Sequence, residues 1–380
     1  MKPIPVLYLA PWVDYGGTAK GTLDWFRWLD RDRFAPSLVL TQHPSPNRLL
    51  SAVTPYAEEV WNLPELMPGG EMPYFIADFI HARGVRVVHI MNSRLGFELL
   101  PDISCLPEPP VTVVQLHVEE DTRHGYVRYV ATRYGNLVDA FSVTSRHLAS
   151  VMVDEYDTSP AKCRLIYTGV DADDEFAPDR AAPVDQLDDG LVHILFLGRL
   201  TRQKDPLLMV AVADRLRRID ERFQLHVVGY GALEDDVRRE IAERQLERFV
   251  RLEDPTDRPA GWYAACDLLL LTSRFEGIPY VAFEAMAMEV PVVAPALPGI
   301  AEVVDEDCGR LVEPRDRVDA YAHALAELME DAGARRRLGE EGRRRVTQSY
   351  GVREMADQHG RLYEELLAQR SGSVRPGMVV

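Results

Sequence analysis

Cysteine, lysine and long apolar runs are all scarce in this sequence of 380 residues. Its four cysteines, Cys105, Cys163, Cys266 and Cys308, form no CxxC pair and no cluster with histidine. This scatter indicates a reducing compartment and no structural zinc. No apolar run approaches the roughly 20 residues that a membrane-spanning helix needs. The apolar start, MKPIPVLYLAPWV, lacks a basic leader and a cleavage site, so it predicts a first strand and a cytoplasmic protein.

Positive charge is also in short supply. The chain has 43 Lys and Arg against 60 Asp and Glu, and its net charge is −17. Binding to nucleic acid needs a basic face that neutralises phosphates, so this composition argues against a nucleic-acid partner.

Short apolar runs alternate with longer amphipathic segments along most of the chain. The runs lack internal polar alternation, which is typical of parallel sheets covered by helices on both faces. The predicted strands are 4–10, 37–41, 85–91, 111–117, 140–144 and 164–167 in the first half and 192–197, 224–228, 250–252, 268–271, 291–294 and 309–312 in the second. A Pro- and Asp-rich segment, 176–190, separates the halves. We therefore predict α/β domains over 1–178 and 190–350, a helix over 351–369 and a tail over 370–380.

Glycine and polar residues cluster just after the predicted strands, where open parallel sheets bind ligands. In the first half they include Gly16, Gly17 and His117, and in the second half Arg199, Lys204, Gly229 and Glu276. Each residue also has a simpler interpretation. The glycines suit ordinary turns, the histidine suits a structural position, and the charged side chains suit solvent or a helix N-terminus.

Two glutamates, Glu276 and Glu284, stand eight positions apart across a predicted strand-to-helix turn. Glu284 lies in the otherwise apolar segment FEAMAM, where a carboxylate needs a polar partner. Two carboxylates in this arrangement can bind one polyhydroxylated ligand at separate points. The spacing therefore favours a sugar nucleotide as ligand, with the ribose diol as the partner of Glu284.

An ordered set of motifs resembles the retaining glycosyltransferases of the GT-B type, family 4. The second half contributes GRLTRQKDPLLMVAVADRL, LHVVGYGALEDDVRREI, the E-x7-E pair Glu276 and Glu284, PVVAPALPGIAEVV and GRLVEP. The first half contributes YGGTAK, VVHIMN, VVQLHVEED, FSVTS and YTGVD. The resemblance covers about residues 4–350 and implies two Rossmann-like parallel-sheet domains that face each other across a cleft, with the helix over 351–369 crossing back to the first domain.

The resemblance also implies roles for individual residues. Arg199 and Lys204 would hold the donor diphosphate, Glu284 the ribose hydroxyls, Glu276 the hydroxyls of the transferred sugar, and His117 the sugar near its reacting carbon. The backbone at Gly16 and Gly17 would approach the donor phosphate or the acceptor. Further donor contacts would come from Gly229, Gly277, Ile278, Pro279 and Tyr280, with the helix that starts near Pro279 directing its N-terminus at the phosphates.

The implied reaction is transfer of a sugar from a nucleotide-diphosphate sugar to a glycan, lipid-linked or small-molecule acceptor, with retention of configuration. It would serve the synthesis of a cell-surface polysaccharide or glycoconjugate. No metal and no cofactor are expected, because cationic side chains and backbone amides take the place of a metal. No second nucleophile is evident, which favours front-face over double displacement.

The segment after His117 is the candidate acceptor lip, with Arg123, His124, Tyr126 and Arg128; a solvated helix is the alternative. The tryptophans of TLDWFRWLDRDRF either meet a lipid interface or pack against the first sheet. The acidity of the chain favours packing and leaves peripheral contact with the inner face of a membrane as the alternative.

Two other functions fit the same residues. A sugar-nucleotide epimerase would use carboxylates around the sugar without an acceptor, and a non-catalytic module would only bind the nucleotide. A dinucleotide oxidoreductase is disfavoured, because no G-x-G-x-x-G with a downstream acid follows either first strand.

Overall fold

The chain folds into two α/β units, and its last helix returns to the first of them. The structure is a computed structural model that describes residues 2–42, 46–119, 125–184, 187 and 190–373. The first unit comprises Met1–Tyr167 and Val352–Val380, and the second comprises Thr168–Gly351.

The first unit is built on a seven-stranded sheet in the order β3-β2-β1-β4-β5-β6-β7, in which every pair is parallel. Its strands are β1 Ile4–Ala10, β2 Phe34–Leu40, β3 Val60–Asn62, β4 Val87–Met91, β5 Val111–Leu116, β6 Ala140–Val143 and β7 Cys163–Leu165. Its helices in this part of the chain are α1 Gly17–Trp28, α2 Leu50–Val53, α3 Leu63–Leu66, α4 Met72–Ala82, α5 Arg94–Glu98, α6 Leu100–Ser104, α7 Tyr126–Tyr134 and α8 Arg146–Asp154. Short 3-10 turns lie at Thr54–Tyr56, Gly135–Leu137 and Pro160–Lys162. One apolar cluster lies on each face of this sheet, as expected when helices cover both sides.

The second unit repeats this design with a six-stranded parallel sheet in the order β10-β9-β8-β11-β12-β13. Its strands are β8 Val192–Leu197, β9 Phe223–Val228, β10 Val250–Glu253, β11 Leu268–Leu270, β12 Val292–Pro295 and β13 Gly309–Val312. Its helices are α9 Pro206–Leu216, α10 Glu234–Glu243, α11 Pro259–Ala265, α12 Tyr280–Ala287, α13 Pro298–Ala301, α14 Val318–Glu330 and α15 Ala332–Ser349. The last helix of the chain, α16 Val352–Ser373, packs against α1 and β5 of the first unit.

The predicted fold class of parallel α/β sheets is confirmed. All twelve predicted strands are present and differ from the structure only at their ends. One strand, β3, was missed. It has only three residues, all partly exposed, and it pairs with β2 at the edge of the sheet, so its sequence carries no buried apolar run.

The border between the units lies upstream of the predicted linker, 176–190. Residues from Thr168 onward already belong to the second unit. Phe176 is buried with its ring centroid 6.1 Å from that of Tyr263, and its carbonyl accepts a hydrogen bond of 3.3 Å from Arg343 Nη1. The Pro- and Asp-rich composition therefore begins only after the chain has joined the second unit.

Helix α1 contributes to the core of the first unit. Trp25 is buried with its ring centroid 4.7 Å from that of Tyr8 on β1. Trp28 packs against the same apolar cluster, and the guanidinium of Arg353 lies 3.9 Å from its ring centroid. Both tryptophans therefore contact the protein interior, as the packing interpretation predicted. No described helix has both the length and the apolar character that crossing a bilayer requires.

Buried polar side chains join α16 to the first sheet. His89 Nδ1 lies 2.5 Å from Tyr363 Oη, and His89 Nε2 lies 3.0 Å from Gln115 Oε1. His359 Nε2 lies 3.0 Å from Ser142 Oγ. Burial lowers the pKa of His359 to about 4 and that of His89 well below its usual value. Both rings are therefore neutral when α16 is docked at neutral pH.

These histidines predict a loss of stability in mild acid. In the unfolded chain His359 takes up a proton near its usual pKa of 6.5, whereas in the folded protein it does so only near 4. Its contribution is therefore complete above pH 6.5 and is lost as the pH falls toward 4. At about pH 5 the loss is on the order of 2 kcal/mol.

We expect the variant His359→Gln to show a smaller drop in the free energy of unfolding between pH 7.5 and about pH 5 than the wild type. Urea unfolding followed by circular dichroism measures this difference. The control is His147→Gln, since His147 is exposed in the same unit. An unchanged pH dependence in His359→Gln would contradict the assignment.

Candidate functional site

A close backbone contact between two glycines joins two loops at the carboxyl edge of the second sheet. Leu197 at the end of β8 pairs with Val228 at the end of β9, so the glycines that follow them meet. Gly229 has a φ of 146°, and a Cβ at this position would lie only 2.0 Å from the carbonyl oxygen of Gly198. This conformation and this contact both require glycine.

The structure brings Arg199, Lys204 and Glu276 together in this region. Lys204 Nζ forms an ion pair with Glu276 Oε1, and Ser273 Oγ donates to the same oxygen at 2.8 Å. The amide of Gln203 bridges the group, because its Nε2 lies 3.5 Å from Glu276 Oε2 and its Oε1 accepts from Arg199 Nη2 at 3.2 Å. Two cations and one carboxylate from two separate loops therefore share one small network.

This network is only partly open to solvent. The side chain of Glu276 is 7% exposed and that of Lys204 is 17% exposed, whereas Arg199 is an exposed residue. An ion pair at this depth is screened less than one on the surface, so loss of either partner leaves a poorly solvated charge. Gln203 and Ser273 were missed by the sequence analysis, although both lie within three residues of a predicted site residue.

Glu284 is buried within α12, where its neighbours along the helix are apolar. Tyr263 on α11 donates its hydroxyl to Glu284 Oε2 at 2.9 Å. The partner expected from the sequence is thus supplied, at least for this oxygen, by a tyrosine 21 residues away. Tyr263 sits in the apolar segment GWYAA, which carries no sequence signal of a functional residue.

The segment 277–280 connects Glu276 to α12. Pro279 has an extended conformation and immediately precedes the first helical residue, Tyr280, so the helix starts near Pro279 as expected. Ile278 and Tyr280 are buried. A Cβ on Gly299 would lie 2.2 Å from the carbonyl oxygen of Gly277, so α13 is packed directly on this segment.

His117 follows β5 in the first unit. Its ring is partly exposed, but its Nε2 is buried and has no hydrogen-bond partner among the described residues. Burial, with a smaller contribution from His359, lowers the pKa of His117 to about 4. The imidazole is therefore neutral at pH 7, and it offers a polar atom without a positive charge.

The remaining predicted residues also lie in the first unit. Gly16, with a φ of 143°, precedes α1, and both Gly16 and Gly17 are exposed. On α7, Tyr126 is half-buried and stacks edge-on against Phe97 at 6.1 Å, while Arg128 is exposed. The predicted residues Arg123 and His124 lie outside the described residues.

Across the described ranges, no group of three or more His, Cys, Asp or Glu side chains is arranged to hold a metal ion. The four cysteines are all free.

Comparison with known proteins finds a family match within the second unit. Residues 192–331 match the family model described as Glycosyl transferases group 1. The matched segment contains the network of Arg199, Lys204 and Glu276 as well as Glu284.

The chain is also similar to curated glycosyltransferases. A D-inositol 3-phosphate glycosyltransferase of Kribbella flavida is 34% identical over 209 residues, which are 50% of this chain and 48% of that protein. The chain thus spans about half the length of this curated relative.

Solved glycosyltransferase structures share the fold along the whole chain. A glycosyltransferase from Rickettsia africae has a TM-score of 0.79 at 17% identity and covers 97% of this chain and 99% of its own. Anabaena HepE in complex with UDP-glucose has a TM-score of 0.78 at 18% identity, covering 98% of this chain and 100% of its own. The fold is therefore the GT-B type with two parallel-sheet domains, as the resemblance implied.

The contact between Gly299 and Gly277 yields a stability prediction. The variant Gly299→Ala forces the backbone segments apart in the second unit, and we expect it to lower the free energy of unfolding by about 1–3 kcal/mol. The control is Gly342→Ala on α15, where a Cβ would lie 3.4 Å from its nearest neighbour, Met286. Denaturant unfolding measures both, and equal effects would contradict the role given to this contact.

Proposed function

We propose that this protein is a retaining glycosyltransferase that moves a sugar from a nucleotide-diphosphate sugar to a hydroxyl acceptor. The observation that carries the proposal is the network in which Lys204, Arg199 and Glu276 meet. Its two cations suit a diphosphate, and its carboxylate suits sugar hydroxyls next to that diphosphate. The match of residues 192–331 to the glycosyltransferase group 1 family supports the same activity.

The contacts of Lys204 and Arg199 suggest how a sugar-nucleotide donor would bind. Lys204 has three N–H donors, so it can keep its contact with Glu276 and also bind a phosphate oxygen. Arg199 is held only through the neutral amide of Gln203 in the contacts described above, and its guanidinium suits a second phosphate oxygen. Together they would neutralise the charge that grows on the diphosphate as it leaves.

In the proposed front-face reaction, the bond between the anomeric carbon and the phosphate oxygen breaks. The acceptor oxygen forms its bond to that carbon on the same face, and the acceptor proton passes to the departing phosphate oxygen. Glu276 would hold the sugar hydroxyls and Glu284 the ribose hydroxyls. His117, neutral at pH 7, would contact the sugar near the reacting carbon as a hydrogen-bonding group.

The substrates are proposed by class. HepE is solved with UDP-glucose, and the Kribbella relative is named for D-inositol 3-phosphate, so uridine donors and phosphorylated polyols are the first compounds to test. We further propose a glycan, lipid-linked or small-molecule acceptor in cell-surface polysaccharide or glycoconjugate synthesis, at a cytoplasmic location with or without peripheral membrane contact. No metal and no cofactor are proposed to take part.

A transfer assay tests the activity itself. The protein is incubated with UDP-, GDP- and ADP-sugars, with and without a panel of hydroxyl acceptors. We expect release of nucleoside diphosphate that depends on the acceptor, an anomeric configuration by NMR that matches the donor, and full activity in EDTA. Conversion of the donor sugar without an acceptor would instead identify an epimerase, and binding without turnover would identify a non-catalytic module.

Removal of the central carboxylate charge tests the network. We expect Glu276→Gln, which keeps the shape of the side chain, to lower kcat by about 100-fold or more with an unchanged fold, because the sugar loses its charged acceptor. Lys204→Ala should have a comparable effect through the diphosphate. The matched control is Glu306→Gln, since Glu306 is exposed in the same unit. Wild-type kcat in either site variant would refute that residue's role.

A further inference from the structure

Asp205, the residue after Lys204, has no role in the function proposed above. It is buried, and its Oδ2 lies 2.9 Å from Arg274 Nη2 and 2.9 Å from Arg315 Nη1. Arg274 stands two positions before Glu276, and Arg315 belongs to the loop after β13. One carboxylate oxygen therefore joins the Lys204 loop, the Glu276 loop and a third loop of the second unit.

The backbone around Asp205 is held just as closely. Asp205 has φ 49° and ψ 58°, a left-handed conformation that a residue with a side chain adopts only where its surroundings hold it. The buried hydroxyl of Thr272 donates to the carbonyl oxygens of Lys204 at 3.0 Å and of Asp205 at 2.9 Å. The backbone N–H of Arg274 donates to the carbonyl oxygen of Gln203 at 2.7 Å. The two loops that carry Lys204 and Glu276 are thus joined at their backbones next to Asp205.

We propose that Asp205 is a positioning residue, which sets the geometry of Lys204 and Glu276 through its ion pairs with Arg274 and Arg315. The inference rests on the proposed function. Burial and two guanidinium groups on one oxygen hold the carboxylate between the loops, so the role that its contacts support is positional. Without it, Arg274 and Arg315 repel each other, and Arg274 is free to compete with Lys204 for Glu276.

The chain contains a matched control for this residue. Asp214 lies near the other end of the same helix, α9, and is also buried. Its carboxylate also forms ion pairs with arginines, namely Arg217 at 2.8 Å, Arg218 at 2.9 Å and Arg244 at 3.7 Å. Asp214 contacts neither of the loops that carry Lys204 and Glu276 in the hydrogen bonds and ion pairs described for it, so it is a buried, arginine-bound carboxylate without the connection to the site.

The test compares Asp205→Asn with Asp214→Asn. Asparagine keeps the shape of the side chain and tolerates the left-handed conformation, so only the charge is removed. We expect Asp205→Asn to lower kcat by about 10- to 100-fold, because small displacements of catalytic groups have effects of this size. Asp214→Asn should stay within about twofold of wild type in kcat, even if both variants melt at a lower temperature. Equal kcat values in the two variants would overturn the proposal.

Two further variants separate charge from backbone. Asp205→Gly adopts the left-handed conformation without strain but lacks the carboxylate, so we expect it to match Asp205→Asn; recovery of wild-type kcat would overturn the proposal. Arg315→Met removes one of the two ion pairs, and we expect a smaller loss than in Asp205→Asn. If changes at position 205 prevent folding, Arg315→Met still tests the proposal, because wild-type kcat in this variant would contradict a positioning role for Asp205.

A double-mutant cycle and a binding measurement complete the test. If Asp205 acts through Lys204, then Asp205→Asn should lower kcat much less in a Lys204→Ala background than in the wild type, whereas a purely structural role gives the same factor in both.

Calorimetry with whichever of UDP, GDP and ADP binds the wild type best should show several-fold weaker binding to Asp205→Asn than to Asp214→Asn. A wild type that transfers no sugar refutes the proposed function, whereas a wild type that does so beside an unimpaired Asp205→Asn refutes only this inference.

Discussion

A lysine and a glutamate from two different loops form an ion pair at the carboxyl edge of the second sheet, and the network of the candidate site is built around this pair. Lys204 and Glu276 are both largely shielded from water, so each charge is stabilised by the other. Ser273 and Gln203 complete the coordination of the carboxylate. A cation and an anion therefore lie next to each other, as the proposed contacts with a diphosphate and with its sugar hydroxyls require.

Two glycines and one aspartate determine how closely the loops of the candidate site approach one another. Gly229 and Gly299 permit backbone contacts that any Cβ would block, at Gly198 and Gly277 respectively. Asp205 holds a left-handed backbone conformation and binds arginines from two further loops. A parallel sheet brings the ends of its strands to one edge, and these residues then determine how close the loops beyond that edge come.

The first unit shows a different use of polar groups. Its closing helix, α16, is joined to the sheet through His89, His359 and their hydroxyl and amide partners rather than through apolar contacts alone. Such buried groups are favourable only when they are paired and neutral, so they specify one docking position for a helix that follows the second unit in the chain.

The sequence alone determined the two parallel-sheet halves, twelve of the thirteen strands in the two sheets and the residue types of the candidate site, because apolar runs of strand length and the residues after them are local features. It did not reveal β3, which is short and partly exposed, or the border at Thr168, because the residues that follow, such as Phe176, join the second unit through packing rather than through composition. Only the tertiary structure decided that Tyr263 binds Glu284 and that Asp205 binds Arg274 and Arg315. These partners lie 21, 69 and 110 residues apart, and no local pattern encodes a hydrogen bond between side chains that meet only when strands and helices pack.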